Sequence, residues 1–524
     1  MRQGTIYTNG KMLFPADVGL CYSIECLIEN RFELLYYMIN RVKNWGAHMA
    51  TVIDNPKIKQ KCQIFTPAEK VSRMLDMAGY ADDLFGKKVL ENSCGDGEFL
   101  VQIVERYITD AVRRGFTIEQ IRDGLARDII AYDVDEKMVE KCKCRLDETA
   151  TRFSIAGVVW NVSCKDFLEQ TGLSTFDYIV GNPPYIAYSD LPNDVQQYVK
   201  RHFETCKKGK FDYCYAFIEK SYKSLSDGGC LLYLIPSNIF KNVFGEEIRK
   251  LILSDLEMVV EFPNEKVFEN ALVSPAIIKI RKGLKAPHFH YSEKFEKAKQ
   301  IEKNQLAERW FFDLPENRRG RKIGDNYQVS HPVATLLNDA FVLKDGVIQD
   351  GYYILGNDRI EMEIVRVAAS PKHKRNKNYT EHIIFPYAFD DQGNLLRFRE
   401  DEMQRRFPGA VAYLSKFKTA LEKRDADTSA QWYEYGRSQA IRNLFGPKIL
   451  ISKVISECTE AYLLDKDEIP YSGIYIKALN DANLAELIEI LASKRFKQYI
   501  YKVGLSVSGT SRRIITKDIE EYIY

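Results

Sequence analysis

The spacing of hydrophobic positions divides the chain into three stretches. Residues 20–45 carry apolar side chains at helical spacing, at Ile24, Leu27, Ile28, Leu34, Leu35, Met38, Ile39 and Val42. A stripe of this period predicts an amphipathic helix that packs on the main body. From about 62 to 282 short apolar runs alternate with helical stretches, and after about 285 this regularity fades. We therefore predict an N-terminal helical segment (1–55), a periodic domain (56–285) and a less regular C-terminal domain (286–524).

The periodic domain combines buried strands with crossover helices. The predicted strands are Lys88–Leu90, Asp128–Tyr132, Phe176–Val180 and Cys230–Ile235, and the main helices separating them are 97–114, 135–150 and 213–225. Strands alternating with helices predict an α/β fold with an open, doubly wound, mostly parallel sheet. No helix separates 256–262 from 273–281, which predicts an antiparallel hairpin at one edge.

The C-terminal domain has a weaker pattern. The Lys- and Glu-rich stretch 293–308 predicts a helix, and basic, glycine-containing loops and short apolar runs follow it. This mixture indicates a separate α+β domain.

Composition excludes several classes of protein. Hydrophobic residues make up 45% of the chain and charged residues 28%, as in ordinary globular proteins. No apolar run reaches the roughly 18–20 residues that cross a bilayer, and the N-terminus lacks the apolar core of a signal peptide. The eleven cysteines include no Cys-x-x-Cys pair, so reduced thiols are expected rather than a metal site. We expect a cytoplasmic protein with no membrane association.

A glycine loop follows the first predicted strand. The run Glu91-Asn92-Ser93-Cys94-Gly95-Asp96-Gly97 leads into a predicted helix. Two glycines allow a tight turn and a close approach of the backbone to a ligand, and Glu91 at the strand end can bind a cationic group. A plain strand-to-helix turn would look the same, so this loop alone is weak support for a binding site.

Two further acids follow the next strands. Asp133 ends the second strand and suits a vicinal ribose diol, because a carboxylate accepts both hydroxyl protons, whereas Asp135 can equally cap the next helix. Asp166 could accept a hydrogen bond from an adenine amine, with Phe167 packing on the ring. Ligands of open α/β sheets bind across the carboxyl ends of the strands, so these acids belong to one predicted site.

The strongest chemical signal is Asn182-Pro183-Pro184-Tyr185, just after the strand Phe176–Val180. Two prolines fix φ and remove two N–H donors, so carbonyl oxygens there can accept from a ligand. Asn182 adds an amide oxygen and Tyr185 a flat aromatic face. Two acceptors that hold both protons of an aromatic exocyclic amine draw its nitrogen toward sp³ geometry and restore the lone pair. This turn therefore predicts chemistry on such an amine.

Together these motifs resemble, in order, those of the γ-class (TaqI-like or Eco57I-like) N6-adenine DNA methyltransferases, most strongly over 62–282. The resemblance implies a Rossmann-like class I methyltransferase fold, S-adenosylmethionine as cofactor, and duplex DNA from which the target adenine is flipped. It also implies a bacterial or archaeal, nucleoid-associated enzyme of a restriction-modification system or an orphan. A separately encoded endonuclease would be its partner, and no metal would be needed.

The same resemblance implies a role for each matching residue. Asn182 and the Pro183 carbonyl would hold the adenine amine, with Tyr185 stacked on one face of the base and Phe268, in Val267-Phe268, on the other. Pro184 completes this catalytic set. The implied cofactor contacts are Thr66 (in Phe65-Thr66-Pro67), Glu91, Ser93, Gly95, Gly97, Asp133, Val134, Asp166 and Phe167. The chain departs from the family at Asn92, where many relatives have proline.

Basic clusters predict contacts to DNA phosphates, although the net charge of +2 is uninformative. The predicted DNA-binding residues are Lys207, Lys208, Lys210, Arg319, Arg321, Lys374, Arg375, Arg512 and Arg513. Within the resemblance, residues 286–524 form the target-recognition domain. The sequence leaves open the recognition sequence, the base-reading residues, the oligomeric state and the role of residues 1–55.

Several alternatives remain at this point. Asn-Pro-Pro-Tyr also serves protein-glutamine and some RNA methyltransferases, but those relatives are shorter and lack the large basic C-terminal part. N4-cytosine DNA methylation is closer, although serine commonly replaces Asn182 there. C5-cytosine chemistry requires a cysteine, normally after proline, and no Pro-Cys occurs. A DNA-binding specificity subunit with a degenerate core is the non-enzymatic alternative, and the intact Asn182, Tyr185, Asp133 and Asp166 argue against it.

Overall fold

A computed structural model divides the chain into two compact units, unit 1 (Met1–Arg309) and unit 2 (Trp310–Tyr524). The structure describes residues 66–263, 274–313, 320–376, 380–508 and 510–524, and also the backbone of β1 (Tyr7–Thr8) paired with β2 (Lys11–Met12). The helix predicted in 20–45 lies outside the described residues. Within the described ranges, no helix has the length and apolar character needed to cross a membrane.

Unit 1 alternates strands and helices as its sequence pattern predicts. The strands are β3 (Val89–Glu91), β4 (Ile129–Asp133), β5 (Asn161–Cys164), β6 (Phe176–Gly181), β7 (Leu225–Pro236), β8 (Leu256–Glu261), β9 (Pro275–Arg281), β10 (His288–Glu293) and β11 (Lys299–Glu302). The helices are α1 (Ala68–Ala78), α2 (Glu98–Arg113), α3 (Ile118–Asp128), α4 (Glu136–Thr151), α5 (Asn193–His202), α6 (Cys214–Lys223), α7 (Asn238–Lys241) and α8 (Glu246–Leu253). Four predicted strands correspond to β3, β4, β6 and β7.

The strands form one nine-stranded sheet in the order β11-β10-β8-β9-β7-β6-β3-β4-β5. From β7 to β5 all neighbours are parallel. The chain winds outward from β3 through β4 to β5, then returns to place β6 on the other side of β3. Strand order reverses between β3 and β6, and a crevice for ligands opens at such a switch point. The predicted doubly wound, mostly parallel sheet is confirmed.

The far edge of the sheet differs from the prediction. β8 and β9 are antiparallel as expected, but β9 lies between β7 and β8, and β10 and β11 extend the sheet further. The helix predicted at 293–308 is wrong, because β10 pairs in parallel with β8 and in antiparallel with β11. The boundary between the two units therefore falls after Arg309 rather than after residue 285.

Unit 2 is built from short strands. They are β12 (Tyr327–Ser330), β13 (Val342–Leu343), β14 (Val347–Gln349), β15 (Tyr352–Leu355), β16 (Asp358–Glu361), β17 (Val365–Ala369), β18 (Glu381–Ile384), β19 (Tyr387–Phe389), β20 (Leu395–Arg397), β21 (Lys448–Ile451), β22 (Val454–Ile455), β23 (Ala461–Leu464), β24 (Ile469–Pro470), β25 (Ile474–Ala478), β26 (Leu505–Ser508) and β27 (Ser511–Arg513). The helices are α9 (Ile323–Asn326), α10 (Asn338–Phe341), α11 (Pro371–Arg375), α12 (Glu400–Arg406), α13 (Pro408–Ser415), α14 (Lys418–Glu422), α15 (Leu484–Ala492), α16 (Lys494–Val503) and α17 (Thr516–Glu520).

These strands form several small sheets, which confirms the mixed α+β character predicted for this part. Two sheets have four strands, in the orders β12-β25-β21-β23 and β13-β18-β17-β24. A smaller sheet of order β22-β27-β26 carries the C-terminal hairpin. The two larger sheets build separate apolar clusters, one around Tyr435 and Phe385 and one around Phe496 and Ile476.

Candidate active site

Four strand ends bring the predicted site residues to one edge of the sheet. Glu91 ends β3, Asp133 ends β4, Asp166 follows β5, and Asn182 follows β6. The register pairs Leu90 with Ile179 in parallel, so the two loops that follow β3 and β6 leave the sheet side by side.

The glycine loop, residues 92–97, is fixed to the neighbouring strand. The Gly95 backbone N–H donates to Asp133 Oδ2 at 2.8 Å, and the Cys94 N–H donates to the Tyr132 carbonyl at 3.0 Å. Gly97 precedes α2 at φ 91°, and a Cβ there would lie 2.7 Å from Cys142 Sγ. Only glycine fits this position, because both the backbone angle and the contact exclude a side chain.

Asp133 joins two loops at the end of β4. Its Oδ1 accepts from the Asp135 N–H at 2.9 Å, while its Oδ2 holds Gly95. Burial raises the pKa of the Asp133 carboxyl. Asp135 caps α4 by accepting from the backbone N–H of Lys137, while Asp133 lies at the end of β4 next to the half-buried Val134.

Glu91 is only 2% exposed, and its Oε2 has no hydrogen-bond partner among the described residues. Burial raises the pKa of this carboxyl well above its usual range. A Cβ built on Gly181 would contact Glu91 Cγ at 3.5 Å, so the side chain lies between β3 and β6. A buried acid with an unused oxygen is suited to a cationic ligand.

Asn92 has a structural role that the sequence did not reveal. Its amide nitrogen donates to Ser221 Oγ at 2.8 Å and also to the Tyr233 hydroxyl. The side chain is 3% exposed, so these bonds tie the glycine loop to α6 and β7. These hydrogen bonds therefore hold Asn92 and the start of the glycine loop in place.

Asp166 caps a short 3₁₀ turn (Phe167–Glu169) by accepting from the Leu168 N–H at 2.8 Å. Burial raises the pKa of Asp166 to about 6. Phe167 is 1% exposed and packs near Phe217, with Lys220 Nζ 5.0 Å from the ring centroid.

The Asn182–Tyr185 turn is hydrogen-bonded to the glycine loop and to Thr66. Ser93 Oγ donates to the Asn182 carbonyl at 3.2 Å, and Asn182 Nδ2 donates to Thr66 Oγ1 at 3.3 Å. Thr66 itself is buried. Residues from three separate parts of the sequence therefore meet at the start of the turn.

Tyr185 is half-buried, and its hydroxyl donates to the Leu234 carbonyl at 2.7 Å. Burial raises the pKa of this phenol well above its usual value. The hydrogen bond fixes the ring relative to β7. Pro183 is buried and Pro184 half-buried, so the turn packs against the protein interior.

A second segment, residues 211–213, backs this turn and was missed from sequence. The Tyr213 N–H donates to the Ile186 carbonyl at 2.9 Å, and Ala187 forms a β-bridge with Asp212. Burial raises the pKa of Asp212 to about 6. The only signal for this segment in the sequence was its place just before the helix predicted at 213–225.

Two predicted residues, Phe268 and Arg319, lie outside the described residues. Lys207, Lys208 and Lys210 are exposed in unit 1, and Lys207 pairs with Glu204.

The other predicted DNA contacts are in unit 2. Arg321 and Arg513 are exposed, Lys374 pairs with Glu468, and Arg375 pairs with Glu460. Arg512 is only 5% exposed, and its guanidinium lies 4.3 Å from the Tyr501 ring centroid. Burial removes Arg512 from the set that could reach a phosphate.

Known proteins match different lengths of this chain. Residues 121–268 match the family described as Eco57I restriction-modification methylase. The chain is 26% identical over 327 residues to the type II restriction enzyme and methyltransferase RM.Eco57I of Escherichia coli, covering 54% of this chain and 32% of that protein. It is 29% identical over 231 residues to the type II methyltransferase M.XhoI of Xanthomonas vasicola, covering 42% of each.

A solved structure of the type IIL restriction-modification enzyme MmeI in complex with DNA shares the fold. Its TM-score is 0.53 at 13% identity, over 93% of this chain and 67% of that one. The matches to the two curated relatives span only 32% and 42% of their lengths.

The matched methylase family and the doubly wound, mostly parallel sheet indicate S-adenosylmethionine as the cofactor. The residues present fit it. The unused carboxylate oxygen of Glu91 can receive a cationic group, and a Cβ added at Gly95 would meet nothing within 4 Å, so space is open above the loop.

Proposed function

We propose that the chain is an S-adenosylmethionine-dependent DNA methyltransferase, because unit 1 has a doubly wound, mostly parallel sheet and its residues 121–268 match the family described as Eco57I restriction-modification methylase. Its target is N6 of an adenine flipped out of duplex DNA. The observation that carries this proposal is the pair of hydrogen bonds that joins Asn182 to Ser93 and Thr66. These bonds place the side-chain amide of Asn182 and the Pro183-Pro184 turn beside the glycine loop.

The residues of the turn account for the chemistry. Bound S-adenosylmethionine supplies an electrophilic methyl group. Asn182 and the Pro183 carbonyl accept from the two amine protons of adenine and turn its nitrogen lone pair toward that group. Because these acceptors are fixed before the base arrives, positioning supplies much of the rate.

Stacking compensates for extrusion of the base. Tyr185 offers one aromatic face, held by its bond to Leu234, and Phe268 is proposed for the opposite face. Each stacked face contributes about 1–3 kcal/mol, which offsets part of the cost of unpairing.

The remaining site residues hold the cofactor in this proposal. Glu91 and Thr66 serve its methionine part, Asp133 and Val134 its ribose and adenine, and Asp166 the adenine amine. Ser93, Gly95 and Gly97 shape the loop around it. Phe167 is buried, so it supports these cofactor-binding residues from the protein interior.

Duplex DNA is the proposed partner, with unit 2 as the target-recognition domain. Exposed cations at Lys207, Lys208, Lys210, Arg321 and Arg513 are proposed phosphate contacts. The relative RM.Eco57I is named as both a restriction enzyme and a methyltransferase. A separate endonuclease and a cytoplasmic, nucleoid-associated location stay predictions for this chain.

The test is to incubate the purified protein with methyl-labelled S-adenosylmethionine and unmethylated plasmid DNA, then digest the DNA to nucleosides. Label in N6-methyl-2′-deoxyadenosine supports the proposal, and sequencing of the methylated DNA gives the site. Label in N4-methyl-2′-deoxycytidine would show the cytosine amine to be the target. Absence of label in DNA, with transfer to RNA or protein supplied in parallel reactions, would overturn the choice of substrate.

A further inference from the structure

Unit 2 contains a groove of about 720 Å³ that lies wholly within this unit. One wall is α11, which carries Lys372 and Arg375. The other walls come from the chain between Ser452 and Tyr462 and from the start of β27. The sequence clusters that place basic residues near 372–377 and hydroxyl residues near 508–511 therefore meet in space, although more than a hundred residues separate them.

Several hydroxyl-bearing residues line this groove, among them Ser452, Ser456, Tyr462, Thr510 and Ser511. Ser456 Oγ and Ser511 Oγ are hydrogen-bonded at 2.8 Å. A hydroxyl both donates and accepts, so it can pair with either kind of group on the edge of a base.

Arg375 is exposed but held in place. Its side chain is 72% exposed, and its Nε donates to Glu460 Oε2 at 2.8 Å. Glu460 in turn accepts from the Tyr462 hydroxyl. A guanidinium fixed through Nε presents a planar pair of donors, which matches the O6 and N7 acceptors of guanine in the major groove.

Lys372 lies three residues before Arg375 and so shares a face of α11 with it. It is exposed and forms no ion pair within the described part of the chain. A flexible point charge of this kind suits a phosphate rather than a base edge. The groove therefore combines the Arg375 guanidinium held by Glu460, the nearby Lys372 ammonium that suits a phosphate, and hydroxyl groups that can donate or accept hydrogen bonds.

We infer that this groove reads base pairs in the major groove of duplex DNA, with Arg375 hydrogen-bonded to a guanine of the target sequence and Lys372 bonded to a phosphate. Glu460 acts as a positioning residue for Arg375. This inference rests on the proposed function, because it takes DNA as the partner. It changes the role of Arg375 from a phosphate contact to a base contact.

The test uses the full chain and five variants: Arg375→Ala, Arg375→Lys, Lys372→Ala, Glu460→Gln and, as a matched control outside the groove, Arg399→Ala. Arg399 has an 81% exposed side chain and pairs only locally with Asp401. Methylation rates are measured on duplexes in which each base pair of the wild-type site is varied in turn, and binding is measured against salt concentration.

Both Arg375 variants should lose discrimination at one G·C pair by roughly ten- to a hundredfold, because lysine keeps the charge but not the fork. Lys372→Ala should weaken binding to all duplexes alike and lower the slope of log K against log salt by about 1. Glu460→Gln should give a weaker loss at the same G·C pair. Arg399→Ala should behave as the wild type.

Alkylation of Cys458 supplies a readout that does not depend on activity. Cys458 is exposed and lines the groove, while the exposed Cys144 belongs to unit 1 and serves as the reference. Duplex carrying the target site should slow alkylation of Cys458 and leave Cys144 unchanged.

Two outcomes overturn the inference while leaving the proposed function intact: full discrimination in both Arg375 variants, or no protection of Cys458 by a duplex that the protein methylates. A wild-type protein that transfers methyl groups but never to DNA would remove the proposed function and this inference together.

Discussion

The Asn182–Tyr185 turn of unit 1 and the groove of unit 2 hold their polar side chains in opposite ways. In the turn, Asn182 is bonded to Ser93 and Thr66, and the Tyr185 hydroxyl is bonded to a backbone carbonyl. In the groove, Arg375 and Lys372 reach solvent, with Arg375 held by a single carboxylate. A reaction center gains from groups fixed in advance, whereas a reading surface needs groups that an incoming duplex can reach. Substitutions should therefore cost most in unit 1.

Asn182→Ala should produce the largest effect, since it removes one of the two acceptors assigned to the adenine amine. We expect methyl transfer to fall by about 10²–10³-fold, as for the loss of one preset catalytic hydrogen bond. The Kd for S-adenosylmethionine, measured by calorimetry, should stay unchanged. Asn394→Ala, in an exposed turn of unit 2, is the control and should leave both values unaltered. Full activity of Asn182→Ala would defeat the assignment of the turn.

Gly97→Ala tests how tightly the glycine loop is built. Its Cβ would meet Cys142 Sγ at 2.7 Å in a left-handed backbone, whereas at Gly79, which has φ 74°, a Cβ would meet nothing within 4 Å. Gly79→Ala therefore isolates the backbone strain, about 1–2 kcal/mol, and Gly97→Ala should lower the free energy of unfolding by about 1–3 kcal/mol more. Equal losses in the two variants, in urea titrations, would show that the loop yields to the added group.

The pH dependence of cofactor binding should report Asp166. Burial raises the pKa of this carboxyl to about 6, so its ionised, accepting form is lost as the pH falls below that value. We expect the affinity for S-adenosylmethionine to drop by about fivefold between pH 6 and pH 5. Asp166→Asn should lack this part of the profile, and any dependence that persists belongs to Glu91 or Asp133, whose pKa values are raised too. Identical profiles would exclude Asp166 as an acceptor.

Folding has the opposite sign at this group. The folded state binds the proton of Asp166 more tightly than the unfolded chain does, so the contribution of Asp166 to stability improves as the pH falls from about 6 toward 3.8. Weaker cofactor binding at pH 5 would therefore not arise from loss of the Asp166 contribution to folding.

Lys207→Ala should have the smallest effect on the fold. Its partner Glu204 is 69% exposed at the side chain, and such surface pairs contribute about 0–1 kcal/mol. If Lys207 contacts a phosphate, the salt dependence of DNA binding should still lose about one counterion. An unchanged salt slope would remove Lys207 from the DNA surface.

The two units also differ in how far their sequences predict them. In unit 1 a run such as Phe176–Val180 is long and apolar enough to indicate a buried strand, and the motifs stand at the ends of such strands. The helix predicted at 293–308 failed because Lys- and Glu-rich composition favours helix, while pairing of Lys299 in β11 with Tyr291 in β10 decides for strand. Tertiary pairing outweighed local propensity there.

Side-chain partners were harder to predict than elements. Asn92 bonds to Ser221 and Tyr233, which lie 129 and 141 residues away, so no local pattern reveals them. Arg512 and Arg513 are adjacent in sequence, but successive side chains of β27 point to opposite faces and only Arg513 reaches solvent. A basic pair in a sequence cannot show which member is buried.

The extension of the large sheet has a practical consequence for anyone isolating unit 1. β10 covers the hydrogen-bonding edge of β8, and the buried Arg249 donates through Nε to the Glu308 carbonyl at 2.7 Å. Ending the chain at residue 285 would expose the edge of β8, so that strands of neighbouring molecules could pair with it. It would also remove the Glu308 carbonyl that accepts a hydrogen bond from the buried Arg249 guanidinium. A fragment that stops there should aggregate, whereas one that continues through Arg309 should stay monodisperse in size-exclusion chromatography.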